Sequence, residues 1–192
     1  MTAPFDNAKS TFREQIRARL KTLPAEERAT ASAQVCARLA QGKFFTDAKS
    51  ILLFAPLPDE LDIWPLVGDA LTANKTVALP RFDSATGRYV ACRITNLASD
   101  IVTGKFGIRE PAARCAVLPL NRLDLILVPG VAFDLHGRRL GRGKGYYDQL
   151  LTDVRGLTCG VGFDEQIVAE IPVEPHDIHL NCILTPTRWI KP

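Results

Sequence analysis

Strands alternating with helices along the chain predict a three-layer α/β fold, with a mixed, mostly parallel central sheet and helices on both faces. Short apolar runs recur at 51–54, 76–79, 123–128, 157–163 and 182–184, and helical periodicity fills several of the intervals. Turn residues such as Pro56-Leu57-Pro58 and Pro129-Gly130 close the runs. With 192 residues, 46% of them hydrophobic, the chain can bury one sizeable core, so a single domain over 1–192 is expected.

Phe12, Ile16 and Leu20 recur every fourth position beside Arg13, Arg17 and Lys21, which describes an amphipathic helix over 9–20. Pro24 opens a second helix over 25–40. Residues 50–55 read as a buried parallel strand, 61–73 as a helix and 76–79 as the next strand, stopped by Pro80. Alternation over 88–94 suggests an antiparallel or edge strand, and 103–114 is a loop punctuated by Gly and Pro. Residues 123–128 form another buried strand. A glycine-rich loop, a helix over 145–152 and strands at 157–163 and 182–184 complete the reading.

A formal charge of +3 is too small for a nucleic-acid binder, which needs a strongly basic face. The five cysteines are dispersed, mostly inside apolar runs, with no metal-ligand spacing, and read as reduced core residues. No apolar run is long enough to span a bilayer, and the first ten residues lack a secretory core. A soluble cytoplasmic protein is expected, monomeric by default and without nucleic-acid or membrane partners.

The chemistry concentrates in 129–148, which join a buried strand to a helix. Loops at the carboxyl ends of strands are the usual ligand sites of an open α/β sheet, and a helix start offers unpaired amides. Gly141, Gly143 and Gly145 alternate with Arg142 and Lys144, so backbone donors and side-chain cations would converge on a phosphate-sized volume. The segment fits neither the Walker A template nor GxGxxG. Read alone, the loop is weak evidence, with a flexible basic turn as the alternative.

The run Phe-Asp-x-x-Gly-x-Arg-Leu-Gly-Arg-Gly-Lys-Gly-Tyr-Tyr-Asp at 133–148 resembles the signature of the 5-formyltetrahydrofolate cyclo-ligase family, also called 5,10-methenyltetrahydrofolate synthetases. Further pieces match in the family's order. They are Lys9 with Arg13 on the first helix, Asp-Glu-Leu-Asp at 59–62, Leu-Pro-Arg at 79–81, Phe-Gly-Ile-x-Glu-Pro at 106–111 and Pro-x-x-x-His-Asp at 172–177.

The resemblance implies conversion of 5-formyltetrahydrofolate to 5,10-methenyltetrahydrofolate with MgATP as co-substrate, releasing ADP and phosphate. It assigns Lys9, Arg13, Arg139, Leu140, Gly141, Arg142, Gly143, Lys144, Gly145, Tyr146 and Tyr147 to ATP, with Arg142 and Lys144 stabilising the transferring phosphoryl group. Ala55, Glu60, Phe82, Phe106 and Tyr146 are the folate candidates, and Asp148 and Asp177 the magnesium candidates. Asn181 departs from the acidic residue expected there in several relatives. On composition alone Lys9 and Arg13 would be a solvated helix face, Asp148 a first-turn acid and Asp177 a turn residue. His136, His176 and His179 lack the partners that metal or general-base roles require. Two competing readings are a sugar-phosphate isomerase or coenzyme A transferase on a related scaffold, and an anion- or RNA-binding module using 138–144.

Overall fold

The computed structural model describes residues 4–104, 107–172 and 177–192. In chain order the elements are α1 (Pro4–Lys21), α2 (Ala25–Gln41), α3 (Lys43–Asp47), β1 (Ser50–Leu52), α4 (Pro65–Thr72), β2 (Thr76–Asp83), β3 (Arg88–Ile94), α5 (Leu97–Asp100), β4 (Ile101–Thr103) and β5 (Arg109–Pro111). There follow β6 (Leu125–Pro129), β7 (Ala132–Asp134), β8 (Arg139–Leu140), α6 (Tyr146–Leu151), β9 (Leu157–Val161), β10 (Ile167–Val168), β11 (Cys182–Leu184) and β12 (Trp189–Ile190). The central sheet has seven strands in the order β12-β11-β9-β6-β1-β2-β3. Its inner pairings are parallel, and the two edges, β11 with β12 and β2 with β3, are antiparallel.

The alternation of side chains along the inner strands sorts them between two cores. Ile51, Leu53, Val77, Leu79, Leu125 and Leu127 pack on one face against Ile16 and Leu20 of α1, Val35 and Leu39 of α2, and Leu66, Val67 and Ala70 of α4. Leu52, Ala78, Ile126 and Val128 point to the other face, where Leu150 and Leu151 of α6 meet them. The predicted three layers are therefore present, with most of the helical mass on one side.

Several element bounds differ from expectation for identifiable reasons. The strand predicted to stop at Pro80 continues to Asp83. Thr76 N–H donates to Lys49 O, and Ala78 O accepts from Leu53 N–H, so even-numbered β2 residues face β1. Pro80 belongs to that set but lies beyond β1's last paired residue, so its missing N–H breaks no pair of the β1–β2 ladder. The helix predicted over 61–73 begins only at Pro65. Leu61 and Ile63 are both buried, and Asp62 Oδ1 accepts from Trp64 N–H just ahead of Pro65 at the helix start. The predicted loop 103–114 contains a strand, β5, which pairs with β4 at the loop's start as a short antiparallel ribbon.

Gly130, Gly160 and Gly162 surround the ring of Phe133. A Cβ at any of the three would lie 2.7 to 2.8 Å from a ring atom. Phe133 is fully buried, so the first residue of the 133–148 signature is a packing element. Phe133→Ala should lower the unfolding free energy by about 3–5 kcal/mol, seen as a lower urea midpoint with little change in slope.

Candidate functional site

From β1 the chain crosses to β2 on one side, whereas β6, β9 and β11 extend the sheet on the other. The carboxyl ends of β1 and β6 therefore border a topological switch point, where connecting loops diverge and leave a crevice. A cavity of about 330 Å³ occupies it. Phe54 and Ala55 beyond β1, Pro80 of β2, and Pro129 and Gly130 at the end of β6 form its base. Leu57, Glu60, Tyr89, Ile108, Arg109 and Glu110 line it from one side. Arg139, Gly141, Arg142, Lys144, Gly145, Tyr146, Tyr147 and Asp148 line it from the other.

The 133–148 signature divides into a scaffold and a rim. Asp134 is fully buried, and its carboxylate accepts from His136 N–H, Arg138 N–H and Ile171 N–H at 2.9 to 3.0 Å. Gly137 adopts φ +77°, and a Cβ there would meet Leu180 O at 2.5 Å. These residues fix the β7–β8 hairpin. Leu140 also belongs to the scaffold, since its side chain lies in the main core and its carbonyl accepts from Val131 N–H at 2.7 Å. The Leu140 side chain thus faces the core, and Leu140 is not among the residues that line the cavity.

From Arg139 onward the chain faces the crevice. The Arg139 guanidinium is buried, pairs with Asp148 Oδ1 at 2.5 Å and lies 5.7 Å from the Tyr147 ring. Its Nε has no acceptor among the described residues, leaving one buried donor to spare. A Cβ at Gly141 would stand 2.9 Å from Arg139 Nη1, so a side chain there would have to displace the guanidinium. Gly143 and Gly145, at φ +94° and +65°, need glycine for their left-handed backbone. Gly145 ends the loop and begins α6, whose six residues make only a short helix.

Three long-range contacts gather the other predicted residues. Arg13 Nε donates to Gly141 O at 2.9 Å, and its guanidinium carbon is 3.4 Å from where a Gly143 Cβ would sit. Lys9, 7% exposed, pairs with Asp177 at 2.8 Å. Arg142 reaches from the glycine loop to the β1–α4 turn, with Asp59 at 2.5 Å and Glu60 at 3.1 Å. Thus α1 meets the glycine loop, as the resemblance implied and composition did not. Lys144 lines the cavity, is exposed, and forms no ion pair among the described residues.

The two magnesium candidates each face a cation of their own: Asp148 holds Arg139, and Asp177 holds Lys9. No group of three His, Cys, Asp or Glu gathers among the described residues, so nothing there forms an all-protein metal cage. Asn181 is structural, its Oδ1 accepting from Thr158 N–H and Oγ1–H across β9. His136 enters these contacts through its backbone, and His179 is exposed. Phe106 and His176 lie outside the described residues.

Phe82, Tyr89 and Tyr146 form an edge-on aromatic trio with centroids 5.2 to 5.7 Å apart. Phe82 stands behind the two tyrosines that line the cavity. Tyr89, Arg109 and Glu110 escaped the sequence reading. Tyr89 is the direct cross-strand partner of Phe82, so the register of the β2–β3 hairpin was the available signal. Glu110 lies within the recognised element at 106–111, and its Oε2 accepts from Phe82 N–H at 3.3 Å.

Burial sets the electrostatics. It pushes the Tyr89 hydroxyl up to about 12 and the Tyr147 hydroxyl higher, so both remain neutral donors. Burial also raises Glu60, opposed by the Leu57 N–H bond and the Arg142 charge. Glu60 is thus a desolvated carboxylate at the cavity wall, suited to a polar, hydrogen-bonding ligand. Arg142→Gln removes an opposing influence, so the Glu60 pKa should rise further. Carboxyl carbon NMR titration reads this directly, and a fall would contradict the described pairing.

Residues 6–186 match the model of the 5-formyltetrahydrofolate cyclo-ligase family. The chain is 31% identical to the Mus musculus 5-formyltetrahydrofolate cyclo-ligase over 190 residues, covering 93% of this chain and 94% of that one. It is 32% identical to the Escherichia coli K12 5-formyltetrahydrofolate cyclo-ligase over 177 residues, covering 90% and 97%. Among solved structures, the Aquifex aeolicus 5,10-methenyltetrahydrofolate synthetase superposes with a TM-score of 0.86 at 33% identity, covering 95% of this chain and 92% of that one.

Proposed function

Because the chain belongs to the 5-formyltetrahydrofolate cyclo-ligase family, we propose that the crevice between β1 and β6 converts 5-formyltetrahydrofolate and ATP to 5,10-methenyltetrahydrofolate, ADP and phosphate. The observation that carries this reading is the meeting, at one switch point, of an aromatic cavity holding a desolvated carboxylate with a cationic glycine loop braced by α1.

The reaction must turn a formamide oxygen into a leaving group. The formyl oxygen attacks the γ-phosphorus of ATP, ADP departs, and the formyl carbon becomes electrophilic. Nitrogen 10 of the folate then adds to that carbon and loses its proton. Expulsion of the oxygen as inorganic phosphate leaves the cationic methenyl bridge. The work required of the protein is positioning and charge stabilisation, for which a protein nucleophile is unnecessary.

Each part of the crevice suits one of these tasks. The Tyr89 and Tyr146 rings and the apolar floor offer walls for the flat pterin and aminobenzoyl rings, and Glu60 an acceptor for a pterin N–H. Gly143 and Gly145 open the backbone to a phosphate, and Lys144 brings a mobile cation to the same rim. Arg142, Lys9 and Arg13 are the further cations; to take up phosphate, Arg142 exchanges its bonds to Asp59 and Glu60 for new ones. Asp148 and Asp177 are partly buried hard donors that fit a magnesium ion arriving with the nucleotide, which keeps waters and takes one or two carboxylates. Bound there, the ion would neutralise phosphate charge. We also read the protein as cytoplasmic, which five free cysteines support, and as a monomer by default.

Incubation with 5-formyltetrahydrofolate, magnesium and ATP should generate the absorbance of the methenyl product with stoichiometric ADP. Product without ATP, or no product with it, overturns the reading. Lys144→Ala should retain the wild-type unfolding midpoint and lower turnover by about 10²–10³-fold, the usual cost of losing one transition-state donor. Near-normal turnover would remove Lys144 from that role.

A further inference from the structure

The cavity at the switch point stands at the lower limit for a drug-sized ligand, so a folate seated by its pterin must extend out of it. The adjoining groove, of about 740 Å³, shares Leu57, Glu60 and Arg109 with the cavity and runs between α2 and the β1–α4 turn. Of the three shared residues, Leu57 is apolar and Glu60 is bound to Arg142, so Arg109 presents the available charge at the junction. Its guanidinium carbon lies 3.8 Å from the centroid of the Trp64 ring, a cation–π contact that restricts where the head group sits. The residue is nevertheless exposed, and it makes no ion pair among the described residues. Other charges in the groove are committed. Arg28 donates to Leu20 O and Pro58 O, and Asp62 Oδ1 accepts from Trp64 N–H. Arg109 occupies the unspecified position of the Phe-Gly-Ile-x-Glu-Pro element.

A folate carries its glutamyl carboxylates at the end opposite the pterin. A guanidinium held against an aromatic ring keeps a paired-donor edge that matches a carboxylate. We infer that Arg109, held against Trp64 at the mouth of the cavity, is a specificity residue that binds a carboxylate of the substrate's glutamyl end and directs that end into the α2 groove. The inference rests on the proposed folate reading and adds the direction in which the substrate lies.

The test compares 5-formyltetrahydrofolate with 5-formyltetrahydropteroate, which has the same reacting atoms but no glutamate, in the wild type, Arg109→Leu and Arg109→Lys. For Arg109→Leu, the wild type's preference in kcat/KM for the glutamylated substrate should fall about tenfold, the scale of one charge-assisted hydrogen bond at an exposed site. The KM for ATP should stay within about twofold. Arg109→Lys, which keeps the charge without the fork, should recover part of the preference. An equal loss on both folates, or a rise confined to the KM for ATP, overturns the inference while wild-type turnover preserves the functional reading. Failure of the wild type to form product from ATP and either folate overturns both.

Discussion

Beyond the carboxyl ends of β1 and β6, the connecting chain departs to opposite sides of the sheet, and backbone cannot fill the volume left between. The rest of the site is organised around that opening. The β1 loop brings the turn at 57–60, the β6 loop brings the β7–β8 hairpin and the glycines, and the antiparallel β2–β3 edge supplies the aromatic wall. None of these segments would face the others if β6 had paired on the far side of β2. The apolar runs of β1 and β6, buried on both faces, hold the two strands adjacent and thereby hold the crevice open.

Charge is the second constraint. Among the described residues, Lys9, Arg13, Arg139, Arg142 and Lys144 gather around this half-buried crevice, and cations desolvated beside one another repel. The chain manages the repulsion by giving several of them a carboxylate: Arg139 has Asp148, Arg142 has Asp59 and Glu60, and Lys9 has Asp177. Arg13 lies against the loop and donates to Gly141 O. A polyphosphate entering this rim would meet cations already positioned, and its charge would replace that of the carboxylates. Partnered cations lose less freedom on ligand binding than solvated ones, so positioning achieved in folding lowers the cost of association.

Glycine does several different jobs in one short stretch. Gly130 admits the Phe133 ring, Gly141 admits the Arg139 guanidinium, and Gly143 and Gly145 supply left-handed backbone. The spacing GxGxG is therefore not a single phosphate-binding device. Part of it holds a buried arginine, and part shapes the exposed rim.

The sequence by itself determined the central-sheet strands other than β12, the main helices and the glycine loop, because buried apolar runs, helical periodicity and clustered glycines are local signals. It marked 133–148 as a chemical centre, and family resemblance tied Lys9 and Arg13 to it. Local signals could not show that Leu140 and Asp134 are scaffold, that Arg142 reaches Asp59 and Glu60, or that Arg109 lies against Trp64, because those contacts join residues that are distant in the chain or turned inward by the hairpin. Pro80 makes the same point from the other direction. As a residue it reads as a strand stop, yet it lies within β2 because the neighbouring strand ends first. Which residues reach the crevice was decided by strand order and register, and these depend on which apolar faces can be buried together.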